Sequence, residues 1–418
     1  MLAKMNWFSE ARFGLFVHYG LYSMLGRGEW VRNRERITRE EYTRLAAGFQ
    51  PEHFAPDELC DLAVRAGMTY VVFTTMHHDG FRLYDTRLSD FRSERDLTGE
   101  MIAAARKRGL RVGLYHSLNN WHDQPDAVDA LESPTARTHF IEATFDRIRE
   151  LVTRYNPVDI LWYDGWWPFN AEGWHAEKMN AMVREIQPNI LFNGRNGLPG
   201  DFATPEGHLG APQPWRPWEA CMTLNDSWGY HAGDANWKSP GQVIDFLANC
   251  SQGRGNLLLN VGPRGDGSLP EPTTNILEDV GKWLMQYRDS IFGTDEFTFD
   301  LHRRGDFHGD FNSMGPITKK GKSIFWLLRR WPGQSAVLAG TKELLLSSSW
   351  LHSGEPVRFS QVGDTITFHD LPVRPPDPYC PVLQLDFDSE PSLYLTAGMR
   401  IPKVTHPSYD PCPSDILQ

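Results

Sequence analysis

Apolar residues in the first two thirds of the chain fall into two kinds of segment, and the two kinds alternate. Short, nearly continuous apolar runs occur at Phe13–Tyr19, Tyr70–Met76, Arg111–His116, Val158–Tyr163, Ile190–Asn193, Ala220–Leu224 and Asn256–Val261. Between and after them lie stretches with a one-sided, helix-like apolar period: Thr38–Ala47, Asp57–Ala66, Leu97–Arg108, Thr138–Tyr155, Ala176–Ile186, Pro240–Asn249 and Pro272–Tyr287. Strands without polar alternation are buried on both faces, which a parallel sheet covered by helices provides. Seven or eight such units over about 290 residues suit a (β/α)8-like barrel, irregular in its second half. A doubly wound sheet is the alternative, but no Gly-rich phosphate loop follows an early strand.

The texture changes near residue 297. Helical periodicity stops, and short β-prone runs (Ser323–Leu328, Val337–Leu338, Val357–Phe359, Thr365–Phe368) stand between Gly, Pro, Asp and Ser. That pattern predicts a small antiparallel β-sandwich. The expected division is a barrel over 1–296 and a sandwich with an irregular tail over 297–418, the tail beginning near Pro402.

In a parallel barrel the chemistry sits at the C-terminal ends of the strands. Five successive runs end in reactive or aromatic residues: His18; His77, His78 and Asp79; Tyr115 and His116; Trp162, Tyr163 and Asp164; Asn193 to Arg195. One such residue is usually structural, whereas five at one barrel mouth predict a site. A catalytic metal is not expected. The first strand offers a single His, and His77 and His78 point apart if the backbone there is extended. No G-x-S-x-G elbow marks a serine nucleophile.

Composition narrows the partners. With 53 acidic against 42 basic residues the net charge is −11, which disfavours nucleic acid. No apolar run is long enough to span a membrane. The N-terminus lacks a secretory pattern, so a cytoplasmic protein is expected, or a secreted or periplasmic one if a signal peptide has been removed. The five cysteines, Cys60, Cys221, Cys250, Cys380 and Cys412, are widely spaced and read as buried thiols. Tryptophan is abundant, at 15, and a flat indole can cover the C–H face of a pyranose as well as fill a core. The oligomeric state is left open, a homo-oligomer included.

Paired carboxylates in an aromatic setting suit glycoside hydrolysis. Asp164 stands among Trp162, Tyr163, Trp166 and Trp167, and Glu206 (in TPEG) or Glu219 (in PWEA) follows to face it. Either Glu could instead cap a helix or form a salt bridge.

The chain resembles the α-L-fucosidases of glycoside hydrolase family 29 from about Trp7 to Thr294. The resemblance rests on WFSEARFGLFVHYGLYS, GEWV, YVVFTTMHHDGF, GLYHS, DILWYDG, TPEG, WEACMTLNDSWGY, NWKS and GNLLLNVGPRGDG. It implies a cofactor-free and metal-free retaining exo-glycosidase that cleaves terminal fucose from oligosaccharides or glycoconjugates. Asp164 would be the nucleophile, with His18, Glu29, Trp30, His77, His78, Tyr115, Trp162 and Arg195 around the sugar. Glu206 matches the acid/base position of one subgroup and lies on a Pro/Gly-flanked loop. Glu219 is the alternative, and begins a strand-like run. A fucose-binding protein without turnover, and a related exo-glycosidase or transfucosidase, are the competing functions.

Overall fold

A computed structural model describes residues 2–212, 215–295 and 314–391. The chain divides into two compact units. One comprises the described residues of Met1–His208, Glu219–Ser239 and Asn256–Gly281; the other comprises those of Leu209–Trp218, Pro240–Gly255 and Lys282–Gln418. The boundary expected at 296/297 and the tail from Pro402 lie outside the described residues.

The first unit is built on seven parallel strands: β1 (Phe13–Val17), β2 (Tyr70–Met76), β3 (Arg111–Ser117), β4 (Ile160–Asp164), β5 (Leu191–Phe192), β6 (Glu219–Thr223) and β7 (Asn256–Val261). Their order is β5-β4-β3-β2-β1-β7-β6. Helices Pro56–Arg65, Leu97–Lys107, Pro134–Arg154 and Ala176–Ile186 connect successive strands from β1 to β5. Three of them start where the sequence signals a start: Pro at the first turn of Pro56–Arg65, Asp96 capping Gly99, and Ser133 capping Ala136.

Among the described residues no helix lies between β5 and β6. Instead residues 201–207 run as an irregular extended segment between them. Asp201 N donates to Phe192 O at 2.7 Å on one side; Glu219 N donates to Ala203 O at 2.9 Å and Cys221 N to Pro205 O at 3.0 Å on the other. Parallel bridges Asn193–Phe202 and Glu206–Cys221 complete the seam. This segment takes the place of an eighth strand and closes the ring.

Strand residues two apart share a face. Phe16, Tyr70, Val72, Tyr115, Ile160, Trp162, Cys221 and Leu258 therefore meet in one buried cluster inside the ring. Tyr70 is so large that its neighbour must be small: a Cβ on Gly14 would lie 2.3 Å from the Tyr70 ring. Below, the N-terminal helix Leu2–Ala11 plugs the ring. Phe8 packs 4.4 Å from Phe202, and Asn256 holds the helix end by donating to Phe8 O and accepting from Arg12 N, each at 2.8 Å.

The second unit contains a four-stranded antiparallel sheet, β11-β14-β9-β8, and a three-stranded one, β10-β13-β12. The strands are β8 (Ile317–Lys320), β9 (Ser323–Leu327), β10 (Ala336–Ala339), β11 (Leu345–Trp350), β12 (Arg358–Val362), β13 (Thr365–His369) and β14 (Val382–Phe387). Trp326, Trp350, Ile366, Phe368 and Leu385 share its core, which makes the two sheets a sandwich. Helix Pro240–Gln252 belongs to the same unit through Asp245, paired with Arg329 at 2.8 Å, and Gln252, which accepts from Ile317 N at 2.8 Å. Cys60, Cys221, Cys250 and Cys380 are buried free thiols; Cys412 lies outside the described residues. Among the described residues no helix is long and apolar enough to cross a membrane.

Candidate active site

The C-terminal ends of the strands open into a cavity of about 370 Å³, lined by His18, Glu29, Trp30, Arg34, His77, His78, Tyr115, Trp162, Asp164, Trp167, Arg195, Glu206, Cys221 and Trp228, with Phe16 beneath. That volume is at the small end of small-molecule sites, about 300–1,000 Å³, and suits one monosaccharide.

Asp164 closes β4 at the cavity wall. Its Oδ1 accepts from Arg195 Nη1 at 3.1 Å and its Oδ2 from the Tyr115 hydroxyl at 2.8 Å. Burial pushes the carboxyl up, but Arg195, His78 and Tyr115 together hold it below the usual aspartate range. It is therefore an anion at neutral pH. The chain turns away at Gly165, which needs a φ of +66° and leaves no room for a side chain. A Cβ there would lie 2.7 Å from Ser117 Oγ and 2.9 Å from His78 Nδ1.

Arg195 follows β5 and rests on Trp162, its guanidinium carbon 4.6 Å from the ring centre. Its Nε donates to Thr204 Oγ1 at 3.1 Å, and its Nη2 pairs with Glu206 at 2.6 Å. One guanidinium thus holds both Asp164 and Glu206, one on each arm. Glu206 reaches the mouth because residues 201–207 form the closing segment, with Gly207 N bonded to Cys221 O at 3.1 Å.

Three histidines line the same cavity, all with pKa values lowered by burial: His18 and His78 to about 4, His77 well below the usual value. All three are neutral at pH 7. Their tautomers follow from their partners. Asn260 Nδ2 donates to Trp228 O at 2.7 Å, so Asn260 Oδ1 accepts from His18 Nδ1 at 2.6 Å. Ser117 Oγ donates to Asn119 O at 2.7 Å, so it accepts from His78 Nδ1 at 2.7 Å. In both rings Nε2 is left as an acceptor. Glu29 completes the polar lining. Burial raises its pKa, while its Oε2 accepts from Gly229 N at 2.9 Å.

His77 and His78 do not point apart. Extended backbone ends at Met76, after a register shift between Thr74 and Met76 against β3, and a turn follows. Their ring centres lie 4.0 Å apart. With Asp164 they offer three ligand atoms within 4.8 Å. Arg195 already supplies positive charge to that carboxylate, and a divalent ion on Asp164 would be repelled by it.

Glu219 lies elsewhere. It is the first residue of β6, at the opposite end of the barrel from the mouth, fully buried and absent from the cavity lining. Its Oε2 accepts from the Tyr70 hydroxyl at 2.5 Å and its Oε1 from Trp162 Nε1 at 2.9 Å, so it anchors the floor.

Five lining residues were not singled out as site residues from sequence: Phe16, Arg34, Trp167, Cys221 and Trp228. Arg34 sits one turn after Trp30, and Trp167 shares the turn after Asp164; that spacing was the available signal. Trp228 comes from a loop, with its ring centre 5.2 Å from His18.

A polar cavity with paired carboxylates at the mouth of a parallel barrel is the layout of a barrel glycoside hydrolase. Residues 2–289 match the α-L-fucosidase family model, and the chain belongs to that family. It is 30% identical over 369 residues to tissue α-L-fucosidase of Rattus norvegicus, covering 79% of this chain and 78% of the relative. It superimposes on α-L-fucosidase isoenzyme 1 from Paenibacillus thiaminolyticus with a TM-score of 0.83 and 32% identity, over 93% of this chain and 99% of that one. For Thermotoga maritima α-fucosidase the TM-score is 0.74 and the identity 29%, over 91% and 96% of the two chains. The protein is a glycoside hydrolase acting on α-L-fucosides.

Proposed function

We propose that the enzyme is a retaining exo-α-L-fucosidase, with Asp164 as nucleophile and Glu206 as acid/base. The observation that carries this reading is the shared guanidinium. Arg195 binds Asp164 through Nη1 and Glu206 through Nη2, which keeps two carboxyl groups side by side at the mouth. A retaining glycosidase needs its carboxyls about 5–5.5 Å apart, close enough for direct attack by one of them.

In the first step a carboxylate oxygen of Asp164 attacks C1 of the fucose. The bond from C1 to the leaving oxygen breaks, and that oxygen takes the proton of Glu206. In the second step water attacks C1, Glu206 takes its proton, and the bond from C1 to Asp164 breaks to return the carboxylate. His18 and His78 present acceptor nitrogens to two sugar hydroxyls, and Glu29 a third polar group. Trp30, Trp162 and Trp228 cover the apolar parts of the ring. The size of the cavity restricts it to a terminal sugar. A Thermotoga maritima relative, 29% identical, has been solved as an α-L-fucosynthase with α-L-Fuc-(1-2)-β-L-Fuc-N3, which agrees with a fucosyl unit in this cavity.

The test is a pair of variants on activated and natural leaving groups. Asp164→Ala, shown to be folded, loses at least about a thousandfold in kcat, since no other group can form the covalent intermediate. Glu206→Ala loses most on poor leaving groups, and azide restores turnover as fucosyl azide. If instead Glu219→Ala shows that rescue, the acid/base assignment is wrong. The anomer released first, followed by NMR, is α for retention; β would overturn the double displacement.

A further inference from the structure

The cavity has a second guanidinium, and the reaction does not use it. Arg34 lies four residues after Trp30 on the short helix Val31–Arg34, of which Trp30 is the N-cap, and its N–H bonds back to Trp30 O at 3.0 Å. At that spacing the two side chains face the same way, and both line the cavity. The two cations of the cavity differ in what they hold. Arg195 is committed to Asp164 and Glu206. Arg34 is exposed, and its side chain makes no hydrogen bond or ion pair among the described residues. Glu29 acts on it electrostatically, but that carboxyl is buried and turned to Gly229 N.

The wall that Trp30 begins is continued by a second indole. Trp167 is 37% exposed and stacks on Trp30, ring centres 5.9 Å apart and planes within 17°. Its other neighbour is His78, at 5.0 Å. Glu206, which is itself 43% exposed, marks the side from which the leaving group departs. The protein as a whole carries a charge of −11 and repels anions. An uncommitted cation at the rim of the site offsets part of that repulsion locally.

We propose that Trp167 and Arg34 form the leaving-group subsite, and that it selects fucosides of acidic glycans. The indole takes the apolar face of the ring attached to fucose, and the guanidinium pairs with a carboxylate or sulfate ester on that ring. This rests on the fucosidase reading above and adds its substrate class.

The experiment compares 4-carboxyphenyl α-L-fucoside with its methyl ester, in wild type, Arg34→Gln and Arg34→Lys. The quantity read is the acid-to-ester ratio of kcat/KM, in which leaving-group chemistry cancels between proteins. An exposed pair of this kind changes the ratio by about three- to fivefold in Arg34→Gln, and Arg34→Lys keeps most of it. The wild-type ratio shrinks by a similar factor as salt rises from roughly 0.02 to 0.5 M, whereas the Arg34→Gln ratio stays flat. A second pair carrying an aryl sulfate ester tests the other anion, and a drop in either ratio supports the subsite. Wild-type ratios for both anions that Arg34→Gln leaves unchanged overturn it. Failure of the wild type to turn over any of these substrates would overturn the fucosidase reading instead.

Discussion

Glu219→Gln separates the barrel floor from the catalytic mouth, and its effect on stability has a calculable pH dependence. The carboxyl is fully buried. Burial raises its pKa from the ordinary 4.5 to about 7, against the opposing hydrogen bonds from Tyr70 and Trp162. Below pH 4.5 the group is protonated in both folded and unfolded chains and is neutral in its effect. As pH rises from 4.5 to 7 the unfolded chain ionises while the folded one keeps its proton, so stability is lost through that window. Above it the loss is complete, on the order of 3 kcal/mol from a shift of roughly 2.5 units at 1.36 kcal/mol each. Glutamine cannot ionise. It still accepts from Trp162 Nε1, and any misfit with the Tyr70 hydroxyl is the same at every pH. The buried histidines titrate in both proteins and cancel. Urea unfolding of the two at pH 4.5, 6 and 8 should therefore show the variant gaining about 3 kcal/mol on wild type across the range. Activity should survive, with no azide rescue. A difference between the proteins that is constant from pH 4.5 to 8 would refute the assignment of a raised carboxyl at the floor.

His18 and His78, lowered by burial to about 4, stay neutral across pH 5–8. Fucose affinity, measured by competition, should be flat there and fall only near pH 4; a fall centred at pH 6.5 would contradict this. The same lowered values mean that the unfolded chain binds more protons between pH 6.5 and 4, so stability should drop as pH falls through that interval, as denaturant melts can show. Arg195→Met removes the cation shared by Asp164 and Glu206. It should lower kcat by at least about a hundredfold and move the acid limb of kcat/KM to higher pH, because burial then raises Asp164 with only His78 and the Tyr115 hydroxyl left to oppose it.

Much of this was legible in the pattern of residues. Strands without alternation must be buried on both faces, which marked β1 to β4 and β7 to within a residue or two. A chemistry-bearing residue at or close to the C-terminal end of a parallel strand lies near the mouth, which marked His18 just after β1, Tyr115 near the end of β3 and Asp164 as the last residue of β4. Less was legible where the backbone leaves its period. The side chains of His77 and His78 share one cavity because β2 gives way to a turn; the Asp79-Gly80 pair signals a turn, but not whether the extended backbone stops before or after the two histidines. Trp228 arrives from a loop. The sandwich strands β8, β11 and β14 were not among the runs singled out; β8 (ITKK) and β11 (LLSSSW) have few or interrupted apolar positions, whereas β14 (VLQLDF) carries the alternation of a half-buried strand.

The two glutamates illustrate the same limit most sharply. They are 13 residues apart, and both precede or begin a β-like stretch. Periodicity cannot rank them, since each has apolar neighbours and a Pro nearby. Topology can. Residues 201–207 run as an irregular strand between β5 and β6, in the same direction as both. A residue near the end of that segment must reach the C-terminal mouth, and a residue that opens the next strand must start again at the floor. Glu206 is the first and Glu219 the second. The floor position explains why Glu219 is met by Tyr70 from the start of β2 and by the indole of Trp162 from above. The mouth position explains why Glu206 and Asp164 can share one guanidinium, although they come from different strands. Closing the barrel with the extended segment 201–207 is thus what separates a structural carboxyl from one available to the substrate.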